Sequence, residues 1–289
     1  MARRRGGKNN MKYRLLAMSI DGVLLKTNDR ISRETKEAID FVRNKGVYSV
    51  LVTNRHFSSA KKIAKHLKMN HEMICHGGGL MAGLSGAPIL ETRMPAEMVY
   101  DAADCMERYP CRIQLESQDY EWENKYQQSK NVLGKIQFSL GEGLLQPKTY
   151  TDRISSSVYE KQLTALRLFG EFEEENDASR CRKELLEQIP GIIIEQNNTH
   201  LTVKKEEATK EYALSYLMSE LGIQREETIY IGSGTADEPS LEMAGIGVAM
   251  GQSPEKVKQK ADWITRSNDQ NGVSYMVKEV FRKQMKVEV

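Results

Sequence analysis

With 289 residues, 42 Lys plus Arg and 40 Asp plus Glu, the chain is long enough for two domains or a core with a large insertion. Its formal charge of +2 gives no electrostatic argument for a nucleic-acid partner. Four cysteines without C-x-x-C spacing exclude a disulfide scaffold, and no apolar stretch long enough for a signal peptide or membrane span follows the basic segment 1–10. The expectation is a cytoplasmic protein with reduced thiols, no membrane association and a solvated, disordered tail, so the partner class has to come from a site.

The apolar run Leu15-Leu16-Ala17-Met18 predicts a buried strand that leads into the loop Ser19-Ile20-Asp21-Gly22-Val23-Leu24-Leu25. Ile31, Thr35, Ile39 and Val42 then recur at helical spacing, with Ser32 as N-cap and Gly46 as the stop. A β-branched strand from Val47 to Val52 ends at Thr53-Asn54-Arg55-His56; a helix from about Ser58 to Leu67 and a short strand at Met73-Ile74-Cys75 follow. This β-α-β-α-β alternation implies parallel strands with right-handed crossovers, a Rossmann-like α/β core occupying 11–83 and 190–289.

Residues 84–189 interleave aromatics and charges, as in Gln118-Asp119-Tyr120-Glu121-Trp122-Glu123, and read as an inserted α+β domain. The parallel pattern resumes near Thr209, with Tyr212, Ala213, Tyr216, Leu217 and Leu221 expected to line a helix closed by Gly222. Strands follow at Thr228–Ile231, within Gly245–Gly251 and near Ala261–Thr265. The first runs into the polar loop Gly232-Ser233-Gly234-Thr235-Ala236-Asp237. Polar loops at the carboxyl ends of parallel strands are where such folds place their sites.

These segments, from Met11 onward, resemble a haloacid-dehalogenase-superfamily phosphatase of the Cof type, whose motifs appear in order at strand ends. The most specific match runs from Gly232 through Gly251 to Ala261-Asp262-Trp263-Ile264-Thr265, then Ser267-Asn268-Asp269 and Gly272-Val273. The resemblance implies a phosphorylated small molecule as ligand, Mg2+ as cofactor, and a C2-type cap formed by the insertion. In that family an aspartate at the position of Ser19 attacks phosphorus, and one at Asp21 is general acid and base. Loop residues two apart can both face the substrate, one in line with the leaving oxygen and one beside it.

Thr53, Gly22, Asn54 and Lys210 fall where the family binds phosphate, Asn54 replacing a glycine, and Arg55 persists. Asp237, the Asp21 carbonyl and Ser233 fall where it binds the metal. Serine thus stands at both Ser19 and Ser233, where aspartate is expected, and Ala236 replaces an asparagine. Of the three carboxylates expected at Ser19, Ser233 and Asp237, one remains. Mg2+ relies on such oxygens, and the two missing negative charges offset the loss of a divalent cation. The expected function is a catalytically impaired homologue that binds a phosphorylated ligand without metal through Ser19, Ser233, Thr53, Lys210 and loop N–H groups.

Two alternatives stay open: a slow Mg2+-dependent phosphatase of sugar phosphates or nucleotides, and a scaffold for a protein partner. A serine nucleophile at Ser19 would need a base such as Asp21, His56 or His76. Cys75 beside His76 does not make a thiolate pair, because adjacent strand residues point to opposite faces. The glycine run after His76 is expected to rim the same cleft but lacks the Lys-Ser or Lys-Thr of a P-loop.

Overall fold

The computed structural model describes residues 12–126 and 148–284; segment 1–10 and part of the expected insertion lie outside them. The first segment folds as β1 (Leu15–Met18), α1 (Arg33–Asn44), β2 (Tyr48–Val52), α2 (Phe57–His66) and β3 (Met73–Cys75). Ser32 caps α1 by accepting the Thr35 N–H at 3.1 Å, the expected bond of an N-cap serine. Antiparallel β4 (Leu80–Ala82) and β5 (Pro88–Glu91) continue the same sheet.

The chain then builds a second layer from α3 (Ala96–Met106), β6 (Cys111–Glu116), β7 (Glu121–Asn124), β8 (Lys148–Thr151), α4 (Ile154–Lys161), β9 (Arg167–Phe172), α5 (Glu175–Gln188), β10 (Ile192–Asn197) and β11 (His200–Lys205). It returns through α6 (Lys210–Leu221), β12 (Thr228–Gly232), α7 (Glu238–Met243), β13 (Ile246–Ala249), α8 (Glu255–Gln259), β14 (Trp263–Ile264) and α9 (Gly272–Gln284).

The first sheet has the order β14-β13-β12-β1-β2-β3-β4-β5, parallel from β14 to β3. Alternation along β1 explains its unbroken apolar run. Leu16 and Met18 face a core with α1, α2 and α9, while Leu15 and Ala17 face another with α6, α7 and α8. Both faces being buried, no polar position is left in the strand. Because β1 lies between β2 and β12, the loops after all three strands meet at the centre of the sheet's carboxyl edge.

The second sheet runs β10-β11-β9-β6-β7-β8. Leu168, Phe172, Leu201 and Val203 pack against residues of α3, α4 and α5 such as Val99, Val158 and Leu185. Their strand neighbours Phe169, Thr202 and Lys204 face the opposite way, into a cleft above the core loops.

Sheet membership corrects the expected insertion limits of 84–189. Strand β5 belongs to the core sheet, and the β10–β11 hairpin belongs to the cap. A composition shift along the chain carries no information about which sheet a strand joins. On α6 the buried face is Ala213, Leu214, Leu217 and Met218; Tyr212, expected on that face, is 44% exposed.

Candidate functional site

The loop after β1 opens with Ser19, whose N–H donates to Ile231 O at 3.0 Å, and continues in one wide turn, Ile20–Leu24, closed by Leu25 N–H on Ile20 O at 3.2 Å. Gln252 donates to Gly22 O at 2.5 Å, and Asn268 donates to Leu25 O at 2.9 Å. The C-terminal loops thereby hold the first one in place. Lys210, the first residue of α6, is brought in by Gly78: at φ +102° a Cβ there would lie 2.1 Å from the Thr209 backbone. Only glycine allows that helix to start so near the sheet edge.

At the centre is the Asp237 carboxylate, which accepts hydrogen bonds on both oxygens. Oδ1 takes the Ser19 hydroxyl at 2.6 Å, the Tyr230 hydroxyl at 2.8 Å and Lys210 Nζ at 2.9 Å. Oδ2 takes the backbone N–H groups of Ser233 at 2.9 Å and Gly234 at 3.2 Å. Ser19, Tyr230, Lys210 and Asp237 are all buried. Burial pushes the Asp237 carboxyl up, but the adjacent Lys210 ammonium and the other donors outweigh it and hold the group below its ordinary value. Burial and then the Asp237 charge push the Tyr230 phenol well above its usual value.

Sequence reading brought together Ser19, Lys210 and Asp237 but missed Tyr230. The signal was present: it carries the one side-chain oxygen among the central residues of an otherwise apolar strand, on the same face as Ala17 and Val52. Thr53 Oγ1 accepts the Arg55 N–H at 3.1 Å, and Asn54 is exposed to the cleft.

Asp21 turns away from this cluster and pairs with Arg55, which contacts both carboxylate oxygens at 2.6–3.0 Å. Ser233 Oγ donates to the Asp21 carbonyl at 2.8 Å. These contacts decide whether the residues fit the Mg2+ ion that the resemblance implies. A carboxylate offers about four lone-pair sites, and Asp237 already meets five donors, one of them an ammonium. The Asp21 carbonyl is satisfied by the serine standing where a second carboxylate is expected. The donor set does not fit Mg2+, and among the described residues no group of three or more His, Cys, Asp or Glu could hold a metal.

The two histidines considered as bases are both committed. His56 Nδ1 accepts the Ser58 N–H at 3.1 Å and its Nε2 lies 3.1 Å from Ser117 O. His76 Nε2 accepts the Phe57 N–H at 3.1 Å, which assigns the proton to Nδ1, 2.5 Å from Glu116 Oε1. Arg167 Nε donates to the same oxygen at 2.6 Å. Burial pushes His76 down to about 4, while the Arg167 and His76 contacts outweigh the burial of Glu116 and hold its carboxyl far below the carboxylate range. This buried triad spans the sheets: His76 follows β3, and Glu116 and Arg167 lie on β6 and β9. Burial also pushes the Cys75 thiol up, away from thiolate chemistry, and the other three cysteines are likewise free and buried. No helix among the described residues is long and apolar enough to cross a membrane.

Comparison with known proteins agrees with this architecture. A profile described as haloacid dehalogenase-like hydrolase matches residues 16–277. The stress response protein YhaX of Bacillus subtilis is 36% identical over 277 residues, covering 96% of each chain. Phosphatase YwpJ of the same organism is 25% identical over 299 residues, covering 92% of this chain and 99% of its own. A haloacid dehalogenase-like hydrolase from Bacteroides thetaiotaomicron superposes with a TM-score of 0.77 at 23% identity, over 93% of this chain and 100% of that one. The chain belongs to the haloacid dehalogenase-like hydrolases, as a phosphatase homologue of the Cof type.

Proposed function

We propose that this protein binds a phosphorylated small molecule without metal and without the covalent aspartyl-phosphate turnover of its relatives. The observation that carries the reading is the closed Asp237 cluster, in which Ser19, Tyr230, Lys210 and two backbone N–H groups engage both oxygens of the carboxylate.

Phosphoryl transfer depends on positioning and on cations that neutralise the developing charge. With Ser19 at the attacking position, the carboxylate nucleophile is gone. Loss of a nucleophile in a serine protease costs on the order of a millionfold in kcat, which sets the scale. The hydroxyl of Ser19 is a poor substitute: its partner Asp237 is held below the ordinary carboxyl range and is a weak base, while His56 and His76 have both ring nitrogens engaged.

Ligand binding remains open to the fold because the cleft between the sheets is lined by cationic and hydrogen-bonding side chains. Calorimetry on chelator-treated protein with a panel of phosphate esters, run beside an aryl-phosphate hydrolysis assay with and without Mg2+, tests the reading. Binding without turnover is expected. Mg2+-dependent phosphate release abolished by Asp237→Asn would replace it with a working phosphatase.

A further inference from the structure

The cleft has two lobes of about 230 and 620 Å3 that share Asn54, Gly77, Glu195, Thr202 and Lys204. Among the described residues four Lys or Arg ion pairs stand around it, and they differ in how their burial is divided. Lys210–Asp237 and Arg167–Glu116 are buried on both sides, with side-chain exposures of 7% and 5%, and of 7% and 6%. In the other two the cation is inside and the carboxylate outside. Lys204 is 6% exposed against 52% for Glu195 at 2.7 Å, and Arg55 is 18% exposed against 58% for Asp21 at 2.6 Å.

This asymmetry determines which cations an incoming anion can take. Separating a pair buried on both sides strands a charge in a low dielectric, which is strongly unfavourable. A carboxylate half in water is already partly hydrated, so it returns to water at little desolvation cost of its own while the incoming anion takes its place on the cation. The Lys204 ammonium and the Arg55 guanidinium then keep their sheltered positions and meet the new anion by charge-assisted hydrogen bonds.

The backbone at Gly77 marks where Lys204 and Asn54 converge, in the lobe that Arg55 also lines. Its φ is +66°, and a Cβ there would lie 3.3 Å from Lys204 Nζ and 3.3 Å from Asn54 Oδ1. Lys204 Nζ lies 3.4 Å from Gly77 O. A bare glycine under a cation and an amide is the backbone geometry that admits a ligand close to the chain.

We propose that the phosphate group of the ligand seats on Lys204 and Arg55, beside Asn54 and over Gly77, exchanging with Glu195 and Asp21. The family's phosphate residues Ser19 and Lys210 stay locked on Asp237. This rests on the reading that the protein binds a phosphorylated small molecule and moves the anion seat from the core loops to the junction of core and cap.

The test is calorimetry of the chelator-treated full chain with inorganic phosphate and phenyl phosphate as probes. Lys204→Met is expected to weaken binding by about tenfold or more, the scale of one charge-assisted hydrogen bond. Glu195→Gln is expected to tighten it severalfold, because the competing carboxylate is gone; a misfolded variant would not bind more tightly. If the unaltered protein binds and both variants match it, the seat lies elsewhere and the proposal falls while the binding function stands. If the unaltered protein binds neither probe, the binding function falls as well.

Discussion

Ser233 Oγ donates a 2.8 Å hydrogen bond to the carbonyl oxygen of Asp21. The residue that replaces an expected metal-ligating carboxylate thus occupies the carbonyl expected to share that metal. The serine stands where a ligand is expected and bonds that ligand's neighbour, so the loop after β1 and the loop after β12 are joined by a direct hydrogen bond.

From this contact Mg2+ is expected not to stabilise the protein. A ligand present at a hundredfold its Kd adds roughly 2.7 kcal/mol, which shifts the melting temperature of a chain this size by several degrees. Melting curves in millimolar MgCl2 and in EDTA should coincide; a rise of several degrees with Mg2+ alone would show a working cation site.

Asp237 is the group on which the cluster depends. Asp237→Asn leaves the buried Lys210 ammonium without its charge partner and should cost about 3–5 kcal/mol of stability, whereas Tyr230→Phe removes one of five donors and should cost about 1 kcal/mol. Urea denaturation of the two variants checks the order. Equal losses would mean that the ion pair contributes nothing beyond a hydrogen bond.

The triad between core and cap predicts the acid response. His76 is lowered from 6.5 to about 4, so between those pH values the unfolded chain binds a proton that the folded chain refuses. Its contribution is intact above pH 6.5 and is lost as pH falls to about 4, by roughly 3 kcal/mol in all. Glu116, held below its ordinary range, loses stability in the same direction as pH falls further. His76→Gln has no titrating ring, and chemical denaturation at stepped pH should give a flatter profile between 6.5 and 4. An unchanged slope would assign the acid sensitivity to other groups.

Restoring the expected carboxylates should reopen the metal site. Ser19→Asp alone sets a second carboxylate against Asp237, which Ser19 Oγ now approaches at 2.6 Å, and should destabilise the protein at neutral pH through like-charge repulsion. Ser19→Asp with Ser233→Asp supplies two new oxygen ligands. It should gain a Mg2+-dependent rise in melting temperature and aryl-phosphate hydrolysis above those of the unaltered chain. A double variant indifferent to Mg2+ in both assays would mean that more than these two residues closed the site.

Much of this was legible along the chain. The apolar run of β1, the cap at Ser32 and the strand-end positions of Ser19, Thr53 and Ser233 are local signals, and they carry the α/β class and the family resemblance. Limits of the cap were not legible, because strands β5 and β10 read alike whichever sheet they join. Tyr230 was passed over for the same reason: a tyrosine in a strand reads as core until its hydroxyl has a partner.

What the sequence by itself determined is the set of groups at the sheet's edge, including the two serines where carboxylates are expected. Only the tertiary structure decided how those groups are used. Ser19 and Asp237 are 218 positions apart, and His76 and Glu116 are 40 apart, one following β3 of the first sheet and the other on β6 of the second. A hydroxyl, ammonium or carboxylate has several partners within reach in principle; its choice depends on which loops the sheet order sets side by side, and on which of the competing charges are left in water.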